Sequence, residues 1–302
     1  MHCTRSLVNE QIKRIAHVCR QKDNIVILAR NIAATSDTQK GSVMEKEYGV
    51  IKETLEVCKE NGQLIRGVIF RPESAEEKFP VVIFSHGFGS CYAELIHHGD
   101  GFAESGIVCV FFDFCGGGTA STSDGDMKNM TVETEAADLD AVLDTVMDLP
   151  YINNEAIYLQ GESQGGLISA IVGARRKSDI KGLILWYPAF VIPDDARKRL
   201  ETGNSSMFGR KITAEYDNVA KNIDIKQLQR GFGKPVLLIH GDRDDVVPIE
   251  YSREAAANYG YATLKEIRGA GHGFDGQDSV NAREMSIEFV KIYEGIAGLK
   301  LR

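Results

Sequence analysis

Short apolar runs alternate along this chain with segments that have a helical pattern. The apolar runs lie at 80–86, 106–114, 156–160, 181–187 and 234–240. They contain almost no polar residue, as is typical of strands that are buried on both faces. The helical patterns lie at 131–147, 165–176, 250–259 and 278–296. This alternation predicts an α/β fold with a mostly parallel sheet covered by helices on both sides. An earlier segment, 62–72, alternates and ends at a proline, which predicts an antiparallel strand.

Two segments do not follow the alternation. Residues 1–43 end in the polar stretch AATSDTQKGS, directly before Met44. They are interpreted as an N-terminal extension, and residues 44–302 as the domain itself. The second segment, residues 188–232, is far longer than a usual strand-to-helix connection. We call it the insert, and expect it to lie as a lid over the carboxyl ends of the strands, where open α/β sheets bind ligands.

Charge and hydropathy exclude several classes of partner. The net charge of −8 would repel nucleic acids and anionic membranes. No stretch of 18 apolar residues is present, so the sequence predicts no membrane span. The N-terminal residues contain no apolar core of a signal peptide before a cleavage site. We therefore expect a cytoplasmic protein that acts on a small molecule and binds neither nucleic acid nor membrane.

The motif G-x-S-x-G occurs once in an informative context, at residues 161–165. It follows the predicted strand 156–160 and precedes the predicted helix 165–176, the context of a nucleophile at a tight strand-to-helix turn. Glycines on either side of such a serine allow neighbouring backbone to pass close by. Ser163 is therefore the candidate nucleophile.

A serine hydroxyl needs a base, and the base needs an orienting group. Among the seven histidines, His272 lies in the glycine-rich stretch RGAGHGFDG late in the chain, from which an imidazole can reach across the sheet edge. His86 and His240 each end a predicted strand before a glycine, where a structural role is more common. His272 is therefore the candidate base.

The orienting acid is expected at the end of the preceding strand, in LLIHGDRDDVVP. The spacing D-x-x-V-P favours Asp244 over Asp242, which would stay near the turn, and Asp245, which would face solvent. The resulting chain order of serine, aspartate and histidine is the one expected of an α/β-hydrolase.

Acyl transfer also requires donors for the developing oxyanion. The turn FSHGFGS follows the first buried strand, and its glycines allow the backbone N–H of Phe88 to point inward. The second donor is expected to be the backbone N–H of Gln164, directly after the nucleophile.

From about residue 46 onward the chain resembles the α/β-hydrolase superfamily, and within it the bacterial cinnamoyl (feruloyl) esterases. The shared landmarks are HGF at 86–88, GESQGG at 161–166, HGDRDDVVP at 240–248 and GAGHGF at 269–274. The insert resembles the lid of those esterases, in which an aspartate and a tyrosine meet the phenolic end of the acyl group. The resemblance implies that role for Asp195 and Tyr216.

The predicted function is that of a serine carboxylesterase acting on small acyl or aromatic esters, hydroxycinnamoyl esters among them, through an acyl-enzyme and without a metal or cofactor. A peptidase, an acyl thioesterase or an acyltransferase on the same scaffold are the enzymatic alternatives. A catalytically silent binding protein is the alternative from another class, since one fold hosts many functions. The sequence leaves open whether the chain forms a homodimer.

Overall fold

Eight strands form one sheet at the centre of the computed structural model, which describes residues 48–74 and 78–295. In chain order they are β1 (Val50–Cys58), β2 (Leu64–Pro72), β3 (Phe79–Ser85), β4 (Val108–Phe112), β5 (Ile152–Glu162), β6 (Gly182–Trp186), β9 (Val236–Gly241) and β10 (Ala262–Ile267). A separate two-stranded hairpin consists of β7 (Ser206–Met207) and β8 (Arg210–Lys211). The spatial order of the large sheet is β1-β2-β4-β3-β5-β6-β9-β10.

Strand direction divides the sheet into two parts. β2 pairs antiparallel with both β1 and β4, whereas every pair from β4 to β10 is parallel. The predicted antiparallel strand at 62–72 and the predicted mostly parallel sheet are thereby confirmed.

Eight α-helices surround the sheet in the described part of the chain. They are α1 (Gly99–Glu104), α2 (Val132–Met147), α3 (Gln164–Arg175), α4 (Ile192–Thr202), α5 (Ala214–Ala220), α6 (Ile225–Gly231), α7 (Glu250–Asn258) and α8 (Gly276–Tyr293). Side chains of α1 and α8 belong to the apolar cluster on one face of the sheet, and side chains of α2, α3 and α7 to the cluster on the other.

The central strands supply side chains to both clusters. In β3, Val81 and Ile83 belong to the cluster under α2 and α3, whereas Val82 and Phe84 belong to the cluster under α1. All four side chains are buried. Since successive side chains of a strand point to opposite faces, a strand between two helical layers needs apolar residues at every position.

The insert, residues 188–232, forms three helices and the small hairpin. It contains α4, β7, β8, α5 and α6, and α4 and α5 pack on each other. The predicted N-terminal extension, residues 1–43, and the predicted domain start at residue 44 lie outside the described residues. Within residues 48–74 and 78–295, no helix is both long and apolar enough to cross a membrane.

Candidate active site

Ser163 lies at a sharp turn between β5 and α3. Its backbone has φ 52° and ψ −117°, a conformation that L-residues rarely adopt. A Cβ on Gly161 would lie 2.1 Å from the carbonyl oxygen of Gly165, and one on Gly165 would lie 2.1 Å from that of Ser85. No side chain fits at either position, so the two glycines are a steric requirement of the turn.

A chain of hydrogen bonds joins the serine to a histidine and an aspartate. Nε2 of His272 lies 3.0 Å from Oγ of Ser163, and Nδ1 of His272 lies 2.7 Å from Oδ2 of Asp244. The carboxylate can only accept at Nδ1, so that nitrogen carries the proton and Nε2 is free to accept the serine proton. The structure thus brings together the three residues that the motifs indicated.

Asp244 accepts hydrogen bonds through both of its oxygens. Oδ1 accepts from the backbone N–H groups of Val246 and Val247, at 2.9 and 2.8 Å, while Oδ2 faces His272. Burial alone would raise the pKa of Asp244, but hydrogen bonds from His240, His272 and Val247 outweigh it and hold the pKa well below its usual range. Asp244 is therefore a carboxylate at neutral pH.

His240 is a second imidazole on the same carboxylate. Its Nε2 lies 3.0 Å from Oδ2 of Asp244, and its Nδ1 lies 2.7 Å from Oγ of Ser252. With its Nε2 proton directed to the carboxylate, His240 is a second donor to the same oxygen, Oδ2, that accepts from His272. The sequence placed His240 at a strand end but gave no signal for this partnership.

Phe88 lies in the turn after β3, directly after Gly87, which is close to Ser163. A Cβ on Gly87 would be only 3.5 Å from Cβ of Ser163. His86 holds this turn, since its Nδ1 lies 2.8 Å from the carbonyl oxygen of Gly87 and its Nε2 accepts from the backbone N–H of Phe114 at 3.2 Å. Burial lowers the pKa of His86, which keeps the ring neutral, as these two bonds require.

The backbone N–H groups of the two predicted oxyanion donors have no acceptor within the described part of the protein. Gln164 is the first residue of α3, where a backbone N–H has no partner within the helix. Among the described residues, neither the backbone N–H of Gln164 nor that of Phe88 donates to a protein acceptor. Gln164 directly follows Ser163, and Phe88 directly follows Gly87, which lies beside Ser163.

The two predicted substrate contacts occupy different environments. Asp195, in α4, is half-buried beside a cavity of about 390 Å³ that is also lined by Met207, Phe208 and Asp245. Tyr216, in α5, is fully buried, and its hydroxyl donates to the side-chain Oε1 of Gln164 at 2.6 Å.

The rim of the site contains two further residues with positive φ. Tyr187, directly after β6, has φ 35°, and its ring contacts that of His272 edge-on at 4.9 Å between centroids. Phe208 has φ 49° at the tip of the β7–β8 hairpin, and its exposed ring lies 6.2 Å from that of Phe88. No group of three or more His, Cys, Asp or Glu side chains that could hold a metal ion occurs in the described chain.

Solved structures with similar folds carry this arrangement of strands and helices. Est1E from Butyrivibrio proteoclasticus, solved with bound ferulic acid, is 28% identical; the match covers 80% of this chain and 98% of Est1E, with a TM-score of 0.70. The α/β hydrolase GrgF from Penicillium sp. sh18 is 19% identical; the match covers 81% of this chain and 99% of GrgF, with a TM-score of 0.64. The fold is that of the α/β hydrolases, as the motifs implied.

Sequence comparisons lead to the same class of protein. The Mycoplasma genitalium protein named "Putative esterase/lipase 2" is 27% identical over 241 residues, which cover 67% of this chain and 85% of that protein. Residues 76–230, just over half of the chain, match the model of the Hydrolase_4 family, described as serine aminopeptidase, S33. The chain belongs to this Hydrolase_4 family of α/β-hydrolase proteins.

Proposed function

We propose that this protein is a serine carboxylesterase that works through an acyl-enzyme. The observation that carries the proposal is the hydrogen-bonded chain from Ser163 through His272 to Asp244, with distances of 3.0 and 2.7 Å. Nucleophile, base and orienting acid at these distances are the arrangement that activates a serine hydroxyl.

In the first half of the reaction, Oγ of Ser163 attacks the ester carbonyl while Nε2 of His272 takes its proton. Asp244 holds the other ring nitrogen in its protonated state and stabilises the imidazolium that forms. The charge that develops on the carbonyl oxygen is stabilised by the backbone N–H groups of Phe88 and Gln164. His272 then protonates the leaving alcohol, which departs and leaves the acyl group on Ser163.

In the second half, water takes the place of the alcohol. His272 removes a proton from this water, which attacks the acyl carbonyl, and the same two backbone N–H groups stabilise the second oxyanion. Collapse of the intermediate releases the carboxylic acid, and Ser163 regains its proton from His272.

We infer that the substrates are small acyl or aromatic esters, with hydroxycinnamoyl esters as the leading class. Two comparisons support this class, the similarity to Est1E with its bound ferulic acid and the similarity to a protein named as an esterase/lipase. The cavity beside Asp195 offers a half-buried carboxyl group that could accept a hydrogen bond from a phenolic hydroxyl. The hydroxyl of Tyr216 is already bonded to Gln164, so the phenolic contact is proposed for Asp195 alone.

A fluorophosphonate probe combined with a substrate panel tests the proposal. We expect the probe to label Ser163, as peptide mass spectrometry would show. The panel contains p-nitrophenyl acetate, methyl ferulate, an acyl-CoA thioester and an aminoacyl p-nitroanilide. Higher kcat/KM for the two esters than for the thioester and the anilide is the expected result; no turnover of either ester would refute the proposal.

A second candidate function is an aminopeptidase, since the matched family is described as serine aminopeptidase. The same triad can attack an amide, so the chemistry of the site does not separate the two functions. The aminoacyl p-nitroanilide in the panel separates the two functions. A higher kcat/KM for this anilide than for methyl ferulate would favour the aminopeptidase.

Asp195→Asn tests the contact proposed for the acyl group. We expect kcat/KM for methyl ferulate to fall about 5- to 150-fold, the range that corresponds to about 1–3 kcal/mol for one buried hydrogen bond. The kcat/KM for p-nitrophenyl acetate, which has no phenolic hydroxyl on its acyl group, is expected to stay within about twofold.

Asp194→Asn is the matched control, because Asp194 is exposed and bonds to Arg197 and Tyr251. It should leave both esters unaffected. Equal losses on both esters in Asp195→Asn would instead indicate a packing defect and would remove the support for a phenolic contact.

A further inference from the structure

Both polar atoms of the side-chain amide of Gln164, the residue after Ser163, are hydrogen-bonded. Nε2 of Gln164 donates to Oε2 of Glu135 at 2.6 Å, and Oε1 of Gln164 accepts from the hydroxyl of Tyr216 at 2.6 Å. Each of these three side chains is at most 1% exposed. A buried amide with both ends bonded has one orientation, because rotating it would leave buried polar atoms without partners.

The three residues come from three separate helices. Glu135 lies in the first turn of α2, Gln164 begins α3, and Tyr216 lies in α5 of the insert. α5 is itself tied to α4, because Asp217 accepts two hydrogen bonds from the guanidinium of Arg199, at 3.0 and 2.7 Å. The network therefore connects the folded insert to Gln164, the residue whose backbone N–H is proposed as an oxyanion donor.

We propose that Glu135 and Tyr216 are positioning residues, which hold Gln164 so that its backbone N–H points at the developing oxyanion. This inference rests on the proposed esterase function and on the role of the Gln164 N–H within it. A side chain fixed at both ends restrains the rotation of its own peptide group at the start of α3. Since charge on the carbonyl oxygen appears only in the transition state, losing this restraint lowers kcat and leaves KM nearly unchanged.

The Glu135 carboxyl adds a pH dependence to the network. Its Oε1 is buried and has no hydrogen-bond partner among the residues that the structure describes, and burial raises the pKa of Glu135 to about 8. The charged group beside it on its own helix is Asp138, which is paired with Lys59 from the turn after β1. From α3 it accepts from the amide of Gln164, and its charge acts on the phenol of Tyr216 in α5; both of these groups are uncharged.

The neutral carboxyl is compatible with a negative oxyanion nearby, whereas the ionised carboxylate opposes it. Raising the pH through about 8 therefore lowers kcat, through a group that does not touch the substrate.

Tyr216→Phe is the first test, with methyl ferulate and p-nitrophenyl acetate as substrates. We expect kcat to fall about 10-fold on both esters, which corresponds to the loss of one buried hydrogen bond, while KM stays within about twofold. Tyr259→Phe is the matched control, because Tyr259 is also buried but its hydroxyl has no partner among the described residues. It should retain the kcat of the unmodified protein.

Two results would overturn the inference. One is an unchanged kcat in Tyr216→Phe. The other is a loss confined to KM for methyl ferulate, which would show that Tyr216 contacts the acyl group instead. Thermal unfolding of each variant, measured in parallel, identifies any loss of kcat that comes from unfolded protein.

Glu135→Gln is the second test and uses the pH profile of kcat between pH 6 and 10. The unmodified protein should lose activity above about pH 8, and the variant, which cannot ionise there, should lack this decline. An identical decline in both proteins would overturn the part assigned to Glu135.

The rate at which the fluorophosphonate labels Ser163 separates this inference from the proposed function. Phosphonylation also builds negative charge in the oxyanion site, whatever the natural substrate is. If the unmodified protein turned over no ester, the esterase proposal would fail, and slower labelling of Tyr216→Phe than of Tyr259→Phe would still support the positioning role. Equal labelling rates would overturn it.

Discussion

Ser163→Ala is expected to lower kcat by a factor on the order of 10⁴ to 10⁶ for any ester that the protein hydrolyses. Without Oγ no acyl-enzyme can form, and His272 loses the group that it activates at 3.0 Å. Binding and the two backbone donors remain, so a small residual rate above that in water is expected. Steady-state kinetics with p-nitrophenyl acetate and fluorophosphonate labelling measure the effect.

Ser169→Ala provides the matched control for this variant. Ser169 lies in the same helix, is fully buried, and its hydroxyl has no partner in the described chain. Its replacement should leave kcat and labelling unchanged. Full activity in Ser163→Ala, or labelling of another serine, would contradict the assignment of the nucleophile.

Asp244→Asn is expected to lower kcat by about 10³- to 10⁴-fold, with little change in KM. The backbone N–H groups of Val246 and Val247 keep the amide oxygen at the position of Oδ1. The amide NH₂ then faces Nδ1 of His272, which can only accept from it and must carry its own proton on Nε2. In that tautomer His272 cannot take the proton of Ser163.

Two neighbouring aspartates serve as controls for Asp244→Asn. Asp245 is exposed, and Asp242, which is also exposed, accepts a hydrogen bond from the backbone N–H of Gly269 at 2.5 Å. Asp242→Asn and Asp245→Asn should each retain within about threefold the kcat for p-nitrophenyl acetate, which has no phenolic acyl group to occupy the cavity that Asp245 lines. This bound is set by the small effects usual for surface substitutions. A larger loss in Asp242→Asn than in Asp244→Asn would show that the acid is misassigned.

The sequence predicted the buried strands well because burial on two faces leaves a continuous apolar run. It missed both edge strands of the sheet. β1 (VIKETLEVC) alternates buried and exposed positions and carries three charged residues, and β10 (ATLKEI) has no fully buried side chain. An edge strand is defined by its backbone pairing with one neighbour, which leaves little trace in hydropathy.

The residues of the site also differ in how much of their role the sequence indicates. Ser163, Asp244 and His272 could be proposed together from the sequence because short motifs at strand ends determine their position on the chain, and the structure brings them into hydrogen-bond contact. Glu135 and His240 were not found, since their roles arise from contacts between separate elements, as in the bonds of Glu135 to Gln164 and of His240 to Asp244. An acid in the first turn of a helix is common for reasons of the helix dipole, so Glu135 had no distinguishing signal.

All three non-glycine residues with positive φ in the described part of the chain, Ser163, Tyr187 and Phe208, lie around one site. Such conformations cost about 1–3 kcal/mol each, against a net stability of about 5–15 kcal/mol for a typical domain. The strain at these three residues is therefore comparable with the net stability of such a domain, and the packing of the sheet keeps the reactive edge in a shape that the chain would otherwise leave. Selection for heat tolerance alone would favour substitutions that relieve the backbone strain at these residues. The stabilised variants obtained in this way would be variants that had lost turnover.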